Sequence, residues 1–178
     1  HLVTLIIVIV TSLFIFVMTE PMAFGEIVEK GIVILVEFPD VSHDVNRDFV
    51  QKRFSQHLND YVKEMSYNKV SLKIDVTKKW HTLPDSVSKY RISPRNLEVD
   101  KSRVRKIIDD ALNAVDKDVD FSEYSFTAIV MGAKVTEYGM IGLCGYPGML
   151  GWGTEDVLKT KSGQLVKGGV AIFSFQAH

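Results

Sequence analysis

The chain has 178 residues, of which 46% are hydrophobic, 21 are Lys or Arg and 22 are Asp or Glu. That is enough apolar material for one sizeable core, and a formal net charge of -1 gives no reason to expect a nucleic-acid or polyanion partner. A single cysteine, Cys144, excludes an intrachain disulfide and a cysteine-based zinc cluster.

Residues 2–18 carry no charge and are interrupted only by Thr4, Thr11 and Ser12, before Glu20-Pro21 closes the run. A run of that length reads as an export signal or a membrane anchor. It sits at the lower limit of the about 20 residues that a spanning helix needs, and Ala23-Phe24-Gly25 supplies small residues of the kind a signal peptidase cuts after. Residues 1–25 are therefore expected to be a signal peptide or membrane anchor and residues 26–178 the body, which is secreted or membrane-anchored. Membrane contact is expected through this segment alone. The chain starts at His1 without an initiator Met and stops at His178 directly after an apolar run, so both ends read as cut and the chain as a fragment.

Residues 31–40 read Gly-Ile-Val-Ile-Leu-Val-Glu-Phe-Pro-Asp. An unbroken aliphatic run bounded by a glycine and by Pro39-Asp40 predicts a strand buried on both faces, the central strand of a sheet. Pro39 cannot donate to a ladder, so the strand is expected to end there and release Asp40 into a loop. Next, Val50, Phe54, Leu58, Tyr61 and Met65 recur at helical spacing and predict one apolar stripe along a helix of about five turns, capped by Asn46. Val70, Leu72, Ile74 and Val76 alternate with Ser71, Lys73 and Asp75, the pattern of a half-buried strand. Trp80-His81-Thr82-Leu83-Pro84 reads as an irregular segment.

Asp100 is the expected cap of a second amphipathic helix with apolar positions Val104, Ile107, Ile108, Ala111, Leu112 and Val115. The series Asp116, Asp118, Asp120 raises a calcium loop, but that loop needs Gly where Phe121 stands and Glu where Thr127 stands, so a solvated turn is expected. Phe126–Met131 predicts a buried strand. Beyond it, Gly139, Gly142, Gly145, Gly148 and Gly151 fall at every third residue. The residues between them exclude a collagen helix and no Gly-Lys-Ser/Thr follows, so the stretch is expected to be a glycine loop rather than a phosphate loop. Cys144 within it has no histidine nearby in sequence to make it a nucleophile. Gly168-Gly169 then opens a final strand, residues 170–175, which runs into His178.

Four pieces in this order resemble a known family: Val36-Glu37-Phe38-Pro39-Asp40; the stretch Tyr61-Val62-Lys63-Glu64-Met65-Ser66-Tyr67-Asn68-Lys69-Val70-Ser71-Leu72; Trp80-His81-Thr82-Leu83-Pro84; and Val119-Asp120-Phe121-Ser122-Glu123-Tyr124. They look like the N-terminal part of the catalytic domain of immune-inhibitor-A-type secreted zinc metallopeptidases. The family usually has Gly where Asn68 stands and an Asp-Gly segment where Ser125-Phe126 stands.

The resemblance implies an α/β (α+β) zincin-like N-terminal subdomain, a mixed twisted sheet with two packed helices, truncated before the active-site helix. It also implies an exported enzyme that hydrolyses peptide bonds in peptide or protein substrates with zinc. The family's His-Glu-x-x-His helix is absent from these 178 residues, so the fragment alone is expected to be inactive. That helix matters because its two histidines hold Zn²⁺ from one face while the Glu activates the bound water. By the same resemblance His178 is the candidate first zinc ligand, and Gly169, Val170, Ala171 and Ile172 are the candidate substrate-binding edge strand, pairing with an extended peptide. The alternative is an exported or membrane-anchored binding protein that keeps the scaffold without the metal site.

Overall fold

The computed structural model describes residues 25–91, 99–132, 142–145 and 158–174, the stretch 142–145 through its backbone. The predicted leader, all but its last residue, lies outside them, as does His178. Among the described residues no helix is long and apolar enough to cross a membrane.

The fold is mixed α/β, a mostly parallel sheet with one helix on each face. Strand β1 (Ile27–Glu37) is its centre, and β2 (Val70–Val76) and the short β3 (His81–Thr82) pair with it on one side, both parallel. On the other side lie β4 (Phe126–Met131), parallel to β1, then β8 (Val170–Ser174), parallel to β4, and finally β5 (Gly142–Gly145), antiparallel to β8. Between β5 and β8 in sequence, β6 (Leu158–Lys159) and β7 (Leu165–Val166) form a separate antiparallel hairpin. The sheet order is therefore β2-β1-β4-β8-β5.

Alternation along β1 explains why its aliphatic run has no polar face. Ile32, Ile34 and Val36 point into one core cluster, and Val33 and Leu35 into another. The first cluster is closed by helix α2 (Lys101–Val115), whose Val104, Ile107, Ile108, Ala111, Leu112 and Val115 are all fully buried. Asp100 caps it as expected, accepting from the Ser102 and Arg103 amides. The second cluster is closed by α1, a helical rod over residues 47–65 whose Asn46 side chain accepts from Asp48 N at 2.7 Å. The connection from β1 to β2 moves to one side of β1 and the connection from β2 to β4 moves to the other. With right-handed crossovers, that reversal puts the two helices on opposite faces.

Four expectations are corrected. β1 starts four residues earlier than the glycine at 31 and ends at Glu37, after which Phe38 and Val41 bridge across Pro39-Asp40. The Trp80 segment contains β3, which extends the β2 side along the carboxyl end of β1. The glycine-rich stretch contains β5. And the stripe on α1 holds only in part: Val50 and Phe54 are buried, but Tyr61 is 58% and Met65 63% exposed. The cause is the middle of the rod, Arg53–Leu58, which is wound as a π-helix. Its wider turn shifts the phase of every later residue relative to a 3.6-residue repeat, and it carries Tyr61 and Met65 off the sheet.

Candidate functional site

The parallel strands end together. Val36 of β1 is level with Met131 of β4, and Met131 with Ser174 of β8, so the chain heading for His178 leaves the sheet at the same end as Glu37. The two exits lie two strand spacings apart, about 10 Å. The crevice between the carboxyl ends of β1 and β4 is also where the chain's connections depart in opposite directions, the place where open α/β sheets hold ligands.

Glu37 is the last residue of β1, and the bridge between Phe38 and Val41 folds the chain back so that His43 returns to it. Glu37 Oε2 meets His43 Nδ1 at 2.6 Å and accepts from the His43 amide at 3.2 Å, while Oε1 accepts from Thr82 Oγ1 at 3.1 Å. The His43 side-chain contact, foremost among these, holds the Glu37 carboxyl below the usual carboxylate range. The imidazole stacks on Trp80, ring centroids 4.6 Å apart and planes 12° from parallel.

Gly132, just past β4, is the floor beneath both rings. A Cβ there would lie 2.4 Å from the Trp80 ring and 2.5 Å from His43 Cβ, so the close approach requires glycine. Its carbonyl accepts from Asp44 N at 2.8 Å and pins the returning loop. With Nδ1 engaged by a carboxylate, the His43 ring is oriented and its Nε2 is the nitrogen left for another partner. Residue spacing alone does not pair His43 with Glu37. The signal was the Phe-Pro-Asp turn, which returns the chain onto the strand it has just left.

The other candidates separate. Gly169 precedes β8, and Val170, Ala171 and Ile172 lie within it, but β8 is not an edge strand, because β4 flanks it on one side and β5 on the other. The expectation of an edge there is corrected for a physical reason: the glycine-rich stretch contains a strand, and among the described strands that one takes the outside position. His57 lies in the π-helical turn of α1, its Nδ1 3.2 Å from Arg53 Nη1, beside an apolar groove that includes Phe173. His81 is buried in β3, and burial pushes its imidazole below the ordinary histidine range.

The three aspartates also diverge. Asp116 accepts from Ser162 and Gln164 of the β6–β7 hairpin, Asp120 caps the short 3-10 turn Phe121–Glu123 through Ser122 N, and Asp118 lines a cleft at the carboxyl end of β2. Among the described residues, no group of three or more His, Cys, Asp or Glu side chains is placed to hold a metal ion. Compared with known proteins, the sequence matches no family model and no curated protein.

Proposed function

We propose that this chain is the N-terminal part of the catalytic domain of an exported zinc-dependent metallopeptidase on a zincin-like scaffold, with its zinc-binding helix beyond His178. The observation that carries the reading is the pairing of β5 and β8. A single antiparallel strand, β5, lies outermost beside β8, and β8 leads into the candidate ligand His178. An extended peptide adding to the side of β5 that carries no partner among the described strands gains main-chain hydrogen bonds without any demand on its own side chains, which is how a broad peptidase can grip a substrate. The substrate strand is thereby moved from Gly169, Val170, Ala171 and Ile172 to β5, and Val170, Ala171 and Ile172 pair with it from behind.

Zinc, when bound, supplies a polarising centre and an activated water. A catalytic site of this kind takes three protein ligands, of which this chain offers His178, so no catalytic step is assigned to its residues. Their part is to bind and align the peptide and to aim the strand that precedes His178 in the sequence.

The test is metal titration by calorimetry on the full-length protein beside the 178-residue chain, with peptide cleavage followed in parallel. Tight stoichiometric zinc and cleavage are expected of the full-length protein only, both lost in His178→Ala. Zinc held tightly by the short chain and surviving His178→Ala would place the site elsewhere and end the zincin reading. A full-length protein that takes up peptide but no zinc would be the binding protein of the alternative reading. For the compartment, a passenger fused after Gly25 with the native start restored is expected outside the cytoplasm, and retention inside would overturn export.

A further inference from the structure

We propose that the cleft at the carboxyl end of β2 is a binding site for small organic carboxylates, which lie between Lys79 and His81. The proposal is independent of the peptidase reading. The cleft has a volume of about 600 Å³, within the range of small-molecule sites. Its apolar wall comes from Ile32, Ile74 and Val119, and its cations are Arg47, Lys78 and Lys79. Arg47 is fixed in place by donating to the carbonyls of Thr77 at 2.9 Å and Val76 at 3.2 Å. Lys78 and Lys79 are exposed, and their ammonium groups meet no carboxylate among the described residues.

His81 is 9% exposed, lines the cleft, and its ring has no hydrogen-bond partner among the described residues. The ring nitrogens are not among the buried atoms left without a partner, so they keep contact with solvent and a ligand can take the place of water on them. Two carboxylates also face the cleft. Asp75 accepts from Tyr124 Oη at 3.0 Å and has Lys30 Nζ 3.6 Å away, but Lys30 lies closer to Glu123, so the Asp75 charge is offset only in part. Asp118 acts on His81 in the opposite sense to Lys79, but the Lys79 effect is the larger, and burial exceeds both. An anion entering beside His81 meets the Lys79 ammonium, which has no carboxylate partner among the described residues, a polar ring and an apolar wall. Carboxylate at one end and hydrocarbon at the other is the ligand those surfaces fit.

Binding should be linked to a proton. An anion next to His81 favours the imidazolium, so its proton affinity rises on binding and the ligand binds more tightly as pH falls below the ordinary histidine value of 6.5. The experiment is a titration of the full chain with isovalerate, followed by NMR of the histidine rings and the Ile74 methyls at several pH values. Saturable shifts at both positions are expected, with affinity rising toward low pH. Lys79→Ala should weaken binding about tenfold, and His81→Gln should bind with no pH slope. Lys79 is exposed, so its variant tests the site even if His81→Gln folds poorly. Shifts that do not saturate, that sodium chloride reproduces, or that Lys79→Ala leaves unchanged would overturn the proposal.

Discussion

Along the outer side of β2 the even-numbered residues turn their backbone groups away from β1, and side chains from α1 and the turn after it meet them. Ser66 Oγ bonds the amide and carbonyl of Val70, Asn59 Oδ1 accepts from Leu72 N at 2.7 Å, Gln51 donates to Ile74 O and Arg47 to Val76 O. The crossover helix thus closes the edge it creates, and no further strand can add there without displacing four side chains. At the opposite edge β5 runs against the direction of the other strands and pairs, among the described strands, with β8 alone. One edge of the sheet is sealed from within the domain; the other, among the described strands, ends on a strand of four residues that begins and ends with glycine. Under the proposed function the β5 edge takes the peptide, while the clamps on β2 keep that edge from pairing with another copy.

The largest test removes the centre that both edges share. Ile34 is fully buried between β4 and the β2 side, and Ile34→Asp places an unpaired charge there, at a cost of several kcal/mol. Unfolding followed by circular dichroism should show the transition lost altogether. A cooperative transition of unchanged midpoint would take β1 out of the core.

The next separates the halves. Gly168 enters β8 with φ of +70°, and a Cβ there would stand 1.8 Å from the Ser125 carbonyl oxygen. Gly168→Ala should cost about 1–3 kcal/mol, and in hydrogen exchange the protection of β8 and β5 should fall further than that of β2. Equal loss across the sheet would mean that the halves unfold as one. On the sealed edge, Asn59→Ala strips the partner from Leu72 N and should cost about 1 kcal/mol. Its more telling readout is association: the variant is expected to self-associate at concentrations where the parent does not, as measured by light scattering. A monodisperse variant would show that Asn59 is not what keeps that edge closed.

How much of this was legible depends on length and on locality. The run Ile32, Val33, Ile34, Leu35, Val36 and the α2 repeat from Val104 to Val115 carry their own burial in their spacing, and both were read correctly. β3 has two residues and β5 four, too few for a period of two to register, and the glycines of β5 resembled a loop. Tyr61 and Met65 were misplaced because a π turn, which leaves no hydrophobic signature, lies upstream of them. Whether β8 was an edge depended on a strand elsewhere in the chain. Glu37 and His43 meet through a turn whose residues were visible, but their pairing is a tertiary fact.

Acid should discriminate the two edges most finely. The clamps on β2 are Arg, Gln, Asn and Ser side chains, with no carboxylate among them. The segment joining β5 to β8 is held differently. The β6–β7 hairpin is pinned to the end of α2 by Asp116, whose carboxylate accepts from Ser162 N at 2.9 Å, Ser162 Oγ at 2.7 Å and Gln164 Nε2 at 2.9 Å. Hydrogen bonds from Thr160 and then from Ser162 lower its carboxyl from 3.8 to about 2. A depressed carboxylate contributes stability that is fully present above 3.8 and is lost as pH falls toward about 2. Between those values the amides of Ser162 and Gln164 should lose protection while that of Leu72 keeps it. Asp116→Asn should level the difference, because an amide side chain still accepts from Ser162 but no longer titrates. If Leu72 and Ser162 lose protection together in the parent protein, the hairpin does not open by itself, and the β5 side is as firmly closed to acid as the β2 side.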